Sequence, residues 1–271
     1  MNPRETVRLA AVQVVAGTCV ADNLERAGAL IAQAAREGAR FVLLPEYFAL
    51  ISPDETEKVR LREAPGDGPI QAFLAGAARR HGIWLVGGTL PLAADDPARV
   101  RNATLVFDDQ GRAVTRYDKI HLFGFTRGEE HYDEARTIEA GAQVVCFDAP
   151  FGRVGLSICY DLRFPELYRR MGPVDLIVVP AAFTYTTGQA HWEVLLRARA
   201  IENQCYVLAC GQGGEHDSGR RTWGHSMLID PWGEVVSCLD TGPGVVCGDF
   251  DPARLAAVRA SLPALSHRLL D

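Results

Sequence analysis

No stretch of this 271-residue chain is apolar for long enough to cross a bilayer. The opening Met1-Asn2-Pro3-Arg4-Glu5-Thr6 lacks the apolar core of a secretory leader and runs directly into strand-like sequence, so no export signal is expected. A basic excess is missing too. Lys and Arg number 28 against 34 Asp and Glu, a net charge of −6, which excludes the electrostatic footprint of a nucleic-acid binder. No Cys/His cluster has zinc spacing, and the 7 cysteines are odd in number and spread through strand-like segments, against a disulfide framework. A reducing cytoplasm is the expected compartment. Linkers, low-complexity tracts and repeats are lacking, so 1–271 reads as one domain. What is present is ordinary globular sequence, 48% hydrophobic and 23% charged, long enough to bury about three quarters of its unfolded surface.

Val7 to Val15 reads as a buried first strand. Asp22 or Asn23 is placed to cap a helix whose Leu24, Ala27, Leu30, Ile31 and Ala34 recur at helical spacing, ending near Gly38. Phe41-Val42-Leu43-Leu44 is a short apolar strand that stops at Pro45-Glu46. A helix over about 69–80 precedes a strand over 83–90, and 103–107 and 113–118 flank the turn Asp108-Asp109-Gln110-Gly111 as a hairpin. Further strands are expected at 144–147, 153–158, 176–179, 205–210, 226–229, 235–239 and 245–250. Among them, a helix opened by Thr187 or Gly188 is expected to bury Ala190, Val194, Leu195, Ala198 and Ile201. Pro252 starts a last short helix. Some strands alternate with helices and others pair through hairpins. This mixture predicts an α/β (α+β) chain with mixed sheets, two of them face to face and each covered outside by helices.

Val154, Leu156 and Ile158 alternate with Gly155 and Ser157 as in a strand, while Pro165 suits a first helical turn and Glu166 its positive end. Cys159 therefore falls where a strand stops and a turn leads into a helix. Such an elbow lifts a nucleophile clear of the sheet and exposes backbone N–H groups to an anion; a packing cysteine is the alternative. Glu46 ends an apolar strand after Pro45, and Lys119 leaves the strand 113–118. Alone, each reads as a solvated charge. Together with Cys159 they stand at the ends of separate strands, where open α/β sheets assemble sites. The set is chemically complete. Glu46 takes the thiol proton, Lys119 and the N–H of Tyr160 stabilise the oxyanion, and Glu46 then protonates departing ammonia and activates the water that hydrolyses the thioester. That sequence is amide hydrolysis.

The segments Leu43-Leu44-Pro45-Glu46, Tyr117-Asp118-Lys119-Ile120-His121-Leu122-Phe123 and Cys159-Tyr160-Asp161-Leu162-Arg163-Phe164-Pro165-Glu166-Leu167 resemble the nitrilase superfamily of carbon–nitrogen hydrolases, over essentially the whole chain to Pro263. The resemblance implies a four-layer α-β-β-α sandwich with two mixed β-sheets and a Glu46–Lys119–Cys159 triad. It also implies no metal or organic cofactor, a small-molecule amide as substrate, and a homo-oligomer, dimeric or larger. By the same resemblance Glu134, in Tyr132-Asp133-Glu134-Ala135, is a second glutamate; Glu129 and Glu130 are the alternatives, and an exposed loop acid is the bland one.

His191 to Glu202, Gln204-Cys205-Tyr206-Val207, Gly224-His225-Ser226-Met227 and Asp230-Pro231-Trp232-Gly233 are similar to the deaminated-glutathione amidase branch, with omega-amidases acting on 2-oxoglutaramate sharing much of the pattern. Both substrates are read as carrying a terminal amide, to be hydrolysed with release of ammonia, a 2-oxo acid and negative charge, and Arg163 is a candidate clamp for the carboxylate; a structural ion pair is its alternative. The loop Gly124 to His131 departs from both branches and is expected to line the pocket. His121, His191 and His225 invite a Cys–His protease but lack its local signature. Trp192, Trp223 and Trp232 read as core or turn packing. A member that binds or scaffolds without catalysing is the alternative of another class.

Overall fold

The computed structural model describes residues 5–128 and 130–269. Its first sheet holds β1 (Val7–Gln13), β2 (Phe41–Leu43), β3 (Trp84–Val86), β4 (Leu90–Ala93), β5 (Val100–Phe107) and β6 (Ala113–Asp118), with β15 (Gly244–Phe250) beside β1. A hairpin of β7 (Gly124–Arg127) and β8 (Glu130–Asp133) stands apart. The second sheet takes β9 (Cys146–Ala149), β10 (Gly152–Leu156), β11 (Leu176–Ala181), β12 (Tyr206–Gly211), β13 (Met227–Ile229) and β14 (Val235–Cys238), in that spatial order. In each sheet three strands run parallel, β1, β2 and β3 in the first and β10, β11 and β12 in the second. Antiparallel partners complete both, so the sheets are mixed, as the sequence predicts.

Alternation along β1 and β2 sets the layers. Ala10, Val12 and Val42 pack outward with Ala27, Ile31 and Ala34 of α1 (Val20–Arg36), and the same cluster takes Ile70, Leu74 and Ala78 of α3 (Pro69–His81). A single turn, α2 (Glu57–Arg60), lies between these helices in sequence. Leu9, Ala11, Phe41 and Leu43 belong to the other cluster, with the second sheet. There α4 (Pro165–Arg170) contributes Leu167 and Tyr168, α5 (Tyr185–Asn203) contributes Trp192, Leu196 and Ala200, and α6 (Pro252–Ser261) adds Leu255. The result is the α-β-β-α sandwich. Each large apolar side chain buried this way contributes about 1.5–3 kcal/mol. Among the described residues, no helix is long and apolar enough to cross a membrane.

Three expectations need correction. The strand expected over 83–90 is broken, because β3 and β4 both pair with β5 but Gly87-Gly88-Thr89 leaves the ladder between them. Gly88 has φ +56°, and a Cβ there would stand 2.1 Å from the Pro45 carbonyl, so only glycine lets the two segments pass. Asn23 is inside α1 rather than capping it; its buried amide accepts from Gly17 N–H and donates to the Gly17 and Ala49 carbonyls. In α5, Thr184 is the cap, accepting from Thr187 N–H, and the buried stripe runs through Trp192, Leu196 and Ala200. Val194 and Ile201 instead stand 68% and 50% exposed. Apolar residues occupy two faces of this helix, so spacing alone could not choose between them. Trp192 decides it, packing on Phe183 and donating its indole N–H to the His225 carbonyl at 2.8 Å.

Candidate active site

Glu46 leaves the end of β2 and is almost wholly buried. Its Oε1 accepts from Lys119 Nζ at 2.8 Å and Asn102 Nδ2 at 2.9 Å, and its Oε2 accepts from Ala182 N–H at 2.9 Å. Ala182 directly follows β11, so this one carboxylate bridges the two sheets. The next residue, Tyr47, has φ +57°, an uncommon conformation outside glycine. It is held by Thr89, whose Oγ1 accepts from Tyr47 N–H at 2.9 Å, in the break that Gly88 permits.

Lys119 follows β6 and is buried between two carboxylates. Besides Glu46, its Nζ donates to both oxygens of Glu134, at 3.0 and 2.8 Å. Burial works against the ammonium charge, but attraction to Glu134 and Glu46 outweighs it and raises the pKa above the ordinary lysine value. For Glu134 the balance is the mirror image. Burial favours its neutral form, yet the Lys119 charge, with the hydrogen bond from Phe123 N–H at 2.7 Å, holds its pKa below the usual carboxylate value. Tyr47 Oη completes the shell, donating to Glu134 Oε1 at 2.9 Å. Of the other acids near Glu134, Glu130 accepts from Thr186 rather than from Lys119, and Glu129 lies outside the described residues.

Cys159 opens the short 3₁₀ turn Cys159–Arg163 after β10, with φ +47° and 7% exposure. The elbow is held from within. Asp161 is fully buried, and its Oδ2 accepts from Ile158 N–H at 2.9 Å and Tyr117 Oη at 2.7 Å. Its Oδ1 accepts from His121 N–H at 3.0 Å and lies 2.7 Å from His121 Nδ1. Burial, then the negative charge of Glu46, push the Cys159 thiol well above its ordinary value, with the Lys119 ammonium opposing them. The resting thiol is therefore neutral and sits beside a buried carboxylate able to take its proton. Tyr160 N–H belongs to the first residues of the turn, which have no preceding turn to donate to.

Glu46, Glu134, Cys159, Tyr160 and Arg163 line one cavity, into which Arg220 also reaches. The Arg163 guanidinium lies over the rings of Tyr160 and Phe183, at 5.8 and 5.4 Å, and donates to His191 Nδ1 at 3.2 Å. Among the described residues it has no carboxylate partner, so the structural ion pair is not formed. A separate outer cavity of about 330 Å³ shares Phe123, Glu134 and Arg220 with the inner one. Among the described residues no group of three or more His, Cys, Asp or Glu could hold a metal ion.

The carbon-nitrogen hydrolase family model matches residues 8–260. The chain belongs to that family. It is similar to a deaminated glutathione amidase of Synechocystis sp., 41% identical over 96% of this chain and 97% of the relative. It is also similar to the mouse omega-amidase NIT2, 37% identical over 98% and 96%. Among solved structures, Saccharomyces cerevisiae Nit3, a member of branch 10 of the nitrilase superfamily, superposes with a TM-score of 0.85 at 29% identity, covering 96% of this chain and 95% of Nit3.

In this carbon–nitrogen hydrolase the histidines singled out from sequence are engaged elsewhere. His121 is held by Asp161 and stacks on Phe164 at 3.7 Å, His191 accepts from Arg163, and His225 pairs through Nδ1 with the Trp223 carbonyl. The Cys–His arrangement is not formed. Sequence reasoning missed Asp161, Tyr117, Asn102 and Arg220. Asp161 alone had a visible signal, two residues past the cysteine in a strand-to-helix turn, where an acid accepts backbone N–H groups.

Proposed function

We propose that this chain is an amidase working through a Cys159 thioester, and that 1–271 is a single hydrolase domain. The observation that carries this is the buried thiol on a left-handed elbow beside Glu46, with Lys119 bonded to the same carboxylate. As the thiol sulfur bonds to the amide carbon, its proton passes to Glu46 and the carbonyl π pair moves to oxygen, where Lys119 and Tyr160 N–H stabilise it. Collapse breaks the C–N bond, and the amine leaves with the proton from Glu46. Water then adds to the thioester, giving a proton to Glu46, and expulsion of the sulfur returns that proton to the thiol. Glu134 takes no part in these bonds; it fixes the Lys119 ammonium and keeps it charged.

Similarity to both named groups supports a 2-oxo acid amide as substrate, with Arg163 holding the carboxylate of the acyl half. Deaminated glutathione is the first substrate to test and 2-oxoglutaramate the second. Only the second releases ammonia. In deaminated glutathione the bond broken joins the oxo acid to cysteinylglycine, so the expected ammonia is replaced by a dipeptide amine. Assaying 2-oxoglutarate formation from both tests the reading. Preference for deaminated glutathione is expected; preference for 2-oxoglutaramate overturns the branch, hydrolysis of neither moves the substrate to another short omega-amide, and inactivity on every short omega-amide overturns the function in favour of a silent binding member.

The proposed setting is the cytoplasm, without nucleic acid or membrane partners, as a homo-oligomer. Support for assembly comes from the outward face of α5, where exposed Ile201 sits against Gly233 in the turn that also exposes Trp232. Single apolar side chains on a surface are ordinary, whereas neighbouring exposed ones favour contact with another apolar surface. Sedimentation of Ile201→Lys against the unaltered protein tests it, with a smaller species expected.

A further inference from the structure

Arg220 reaches the active site from a loop far along the chain. The loop is anchored by buried His216, whose Nδ1 lies 2.8 Å from the Ala16 carbonyl and whose Nε2 lies 2.8 Å from Thr222 Oγ1. The guanidinium lies over the Tyr132 ring at 5.3 Å and donates from Nη2 to the Ala182 carbonyl at 3.0 Å. Ala182 is the residue whose N–H holds Glu46. Arg220 Nε is buried and has no hydrogen-bond partner among the described residues. No carboxylate among those residues pairs with this guanidinium, although acids are close. Each lining acid with a nearby cation is already matched, Glu55 to Lys58, Asp54 to Arg60 and Glu134 to Lys119. A partly buried guanidinium without an anion is an unfavourable arrangement that a bound carboxylate relieves.

Its place between the cavities says which carboxylate. Arg163 lines the inner cavity only, whereas Arg220 lines both the inner and the outer one. With the acyl half on Arg163 and the carbonyl at Cys159, a substituent on the amide nitrogen leaves the inner cavity past Arg220. We infer that Arg220 is a specificity-determining residue that binds a carboxylate on the amine half of the substrate, so that the site favours an N-substituted, doubly anionic amide over a primary amide. This rests on the amidase reading above, and it deepens that reading by assigning the two ends of the substrate to two different arginines.

Three amides of 2-oxoglutaric acid provide the test: the primary amide, the amide of a dipeptide ending in a free carboxylate, and the same dipeptide amide with that carboxylate blocked. Arg220→Met is expected to lower kcat/KM for the free-carboxylate amide about ten- to a hundredfold more than for the blocked one, the range of a lost charged hydrogen bond. Arg220→Lys should fall between, because it restores charge without the planar fork. An equal loss on all three amides would mean that Arg220 only supports Ala182, and would overturn the inference. Calorimetry on Cys159→Ala gives a readout that needs no turnover. Adding Arg220→Met should weaken the Kd of the free-carboxylate amide by a similar factor, and an unchanged Kd overturns the role of Arg220. Failure of the unaltered enzyme on every amide is a separate result. It sinks the amidase reading, while the binding measurement still decides Arg220.

Discussion

The phenol of Tyr117 donates to the carboxylate of Asp161 at 2.7 Å, with both side chains fully buried. That bond joins the strand leading to Lys119 to the turn beginning with Cys159. Tyr117→Phe leaves the Asp161 carboxylate short of a donor in an environment where an unmet acceptor costs about 1–3 kcal/mol. We expect a loss of stability in that range in urea unfolding, together with a lower kcat. Unchanged stability and kcat would show that the elbow is held by Ile158 and His121 alone.

Cys159→Ala should keep the fold and abolish turnover. Cys159→Ser should also be poor, since a hydroxyl is far harder to ionise than a thiol. Mass spectrometry of the enzyme quenched during turnover should show the acyl group on Cys159. An acyl group on any other residue, or near-normal turnover by the alanine variant, removes the nucleophile from the scheme.

Glu46→Gln and Lys119→Met should each lower kcat by about a hundredfold or more, as for other lost acid–base or oxyanion groups. Because the two side chains share a hydrogen bond and are proposed to act in one reaction step, the double variant should lose far less than the product of the single losses. A change confined to KM would make the residue concerned a binding group.

Glu134 links the site to pH. Its folded pKa lies below the ordinary carboxylate value of 4.5, so it stabilises the fold fully above that value and loses the contribution as pH falls through the lower folded pKa. Lys119 has its pKa raised, so its contribution is present below the ordinary lysine value and disappears only as pH climbs through the higher folded one. Glu134→Gln should therefore flatten the fall of Tm below about pH 4.5. An identical acid limb in the variant would show that other carboxylates dominate acid unfolding.

Arg163→Lys separates geometry from charge. It should cost about 1.5–3 kcal/mol in kcat/KM on 2-oxo acid amides, the worth of a hydrogen bond to a charged group. An uncharged short amide should lose less. Equal losses would make Arg163 a support for the aromatic pair Tyr160 and Phe183 that it covers.

Strand endings are legible in this sequence because local chemistry writes them: Pro45 closes one apolar run, and a cysteine followed by Pro165 marks the elbow. The outward and inward faces of β1 follow from alternation. The burial of α5 does not, since Val194 and Trp192 are both apolar and only contacts with Phe183 and His225 choose between them. Arg220 is illegible for a related reason. Its meaning depends on Tyr132 and Ala182, separated from it by 88 and 38 residues, and nothing near it in sequence anticipates either. The same holds for Tyr117, whose partner Asp161 belongs to the other sheet's segment.

The hydrogen bond from Ala182 to Glu46 carries a consequence for how the protein matures. In chain order Glu46 and Lys119 precede Cys159, and the N–H that holds Glu46 comes from Ala182, later still. Glu46 therefore has its full set of hydrogen-bond partners only with the end of β11 in place beside the first sheet. During refolding, far-ultraviolet signals should recover before hydrolysis does, and the lag measures the docking of one sheet upon the other.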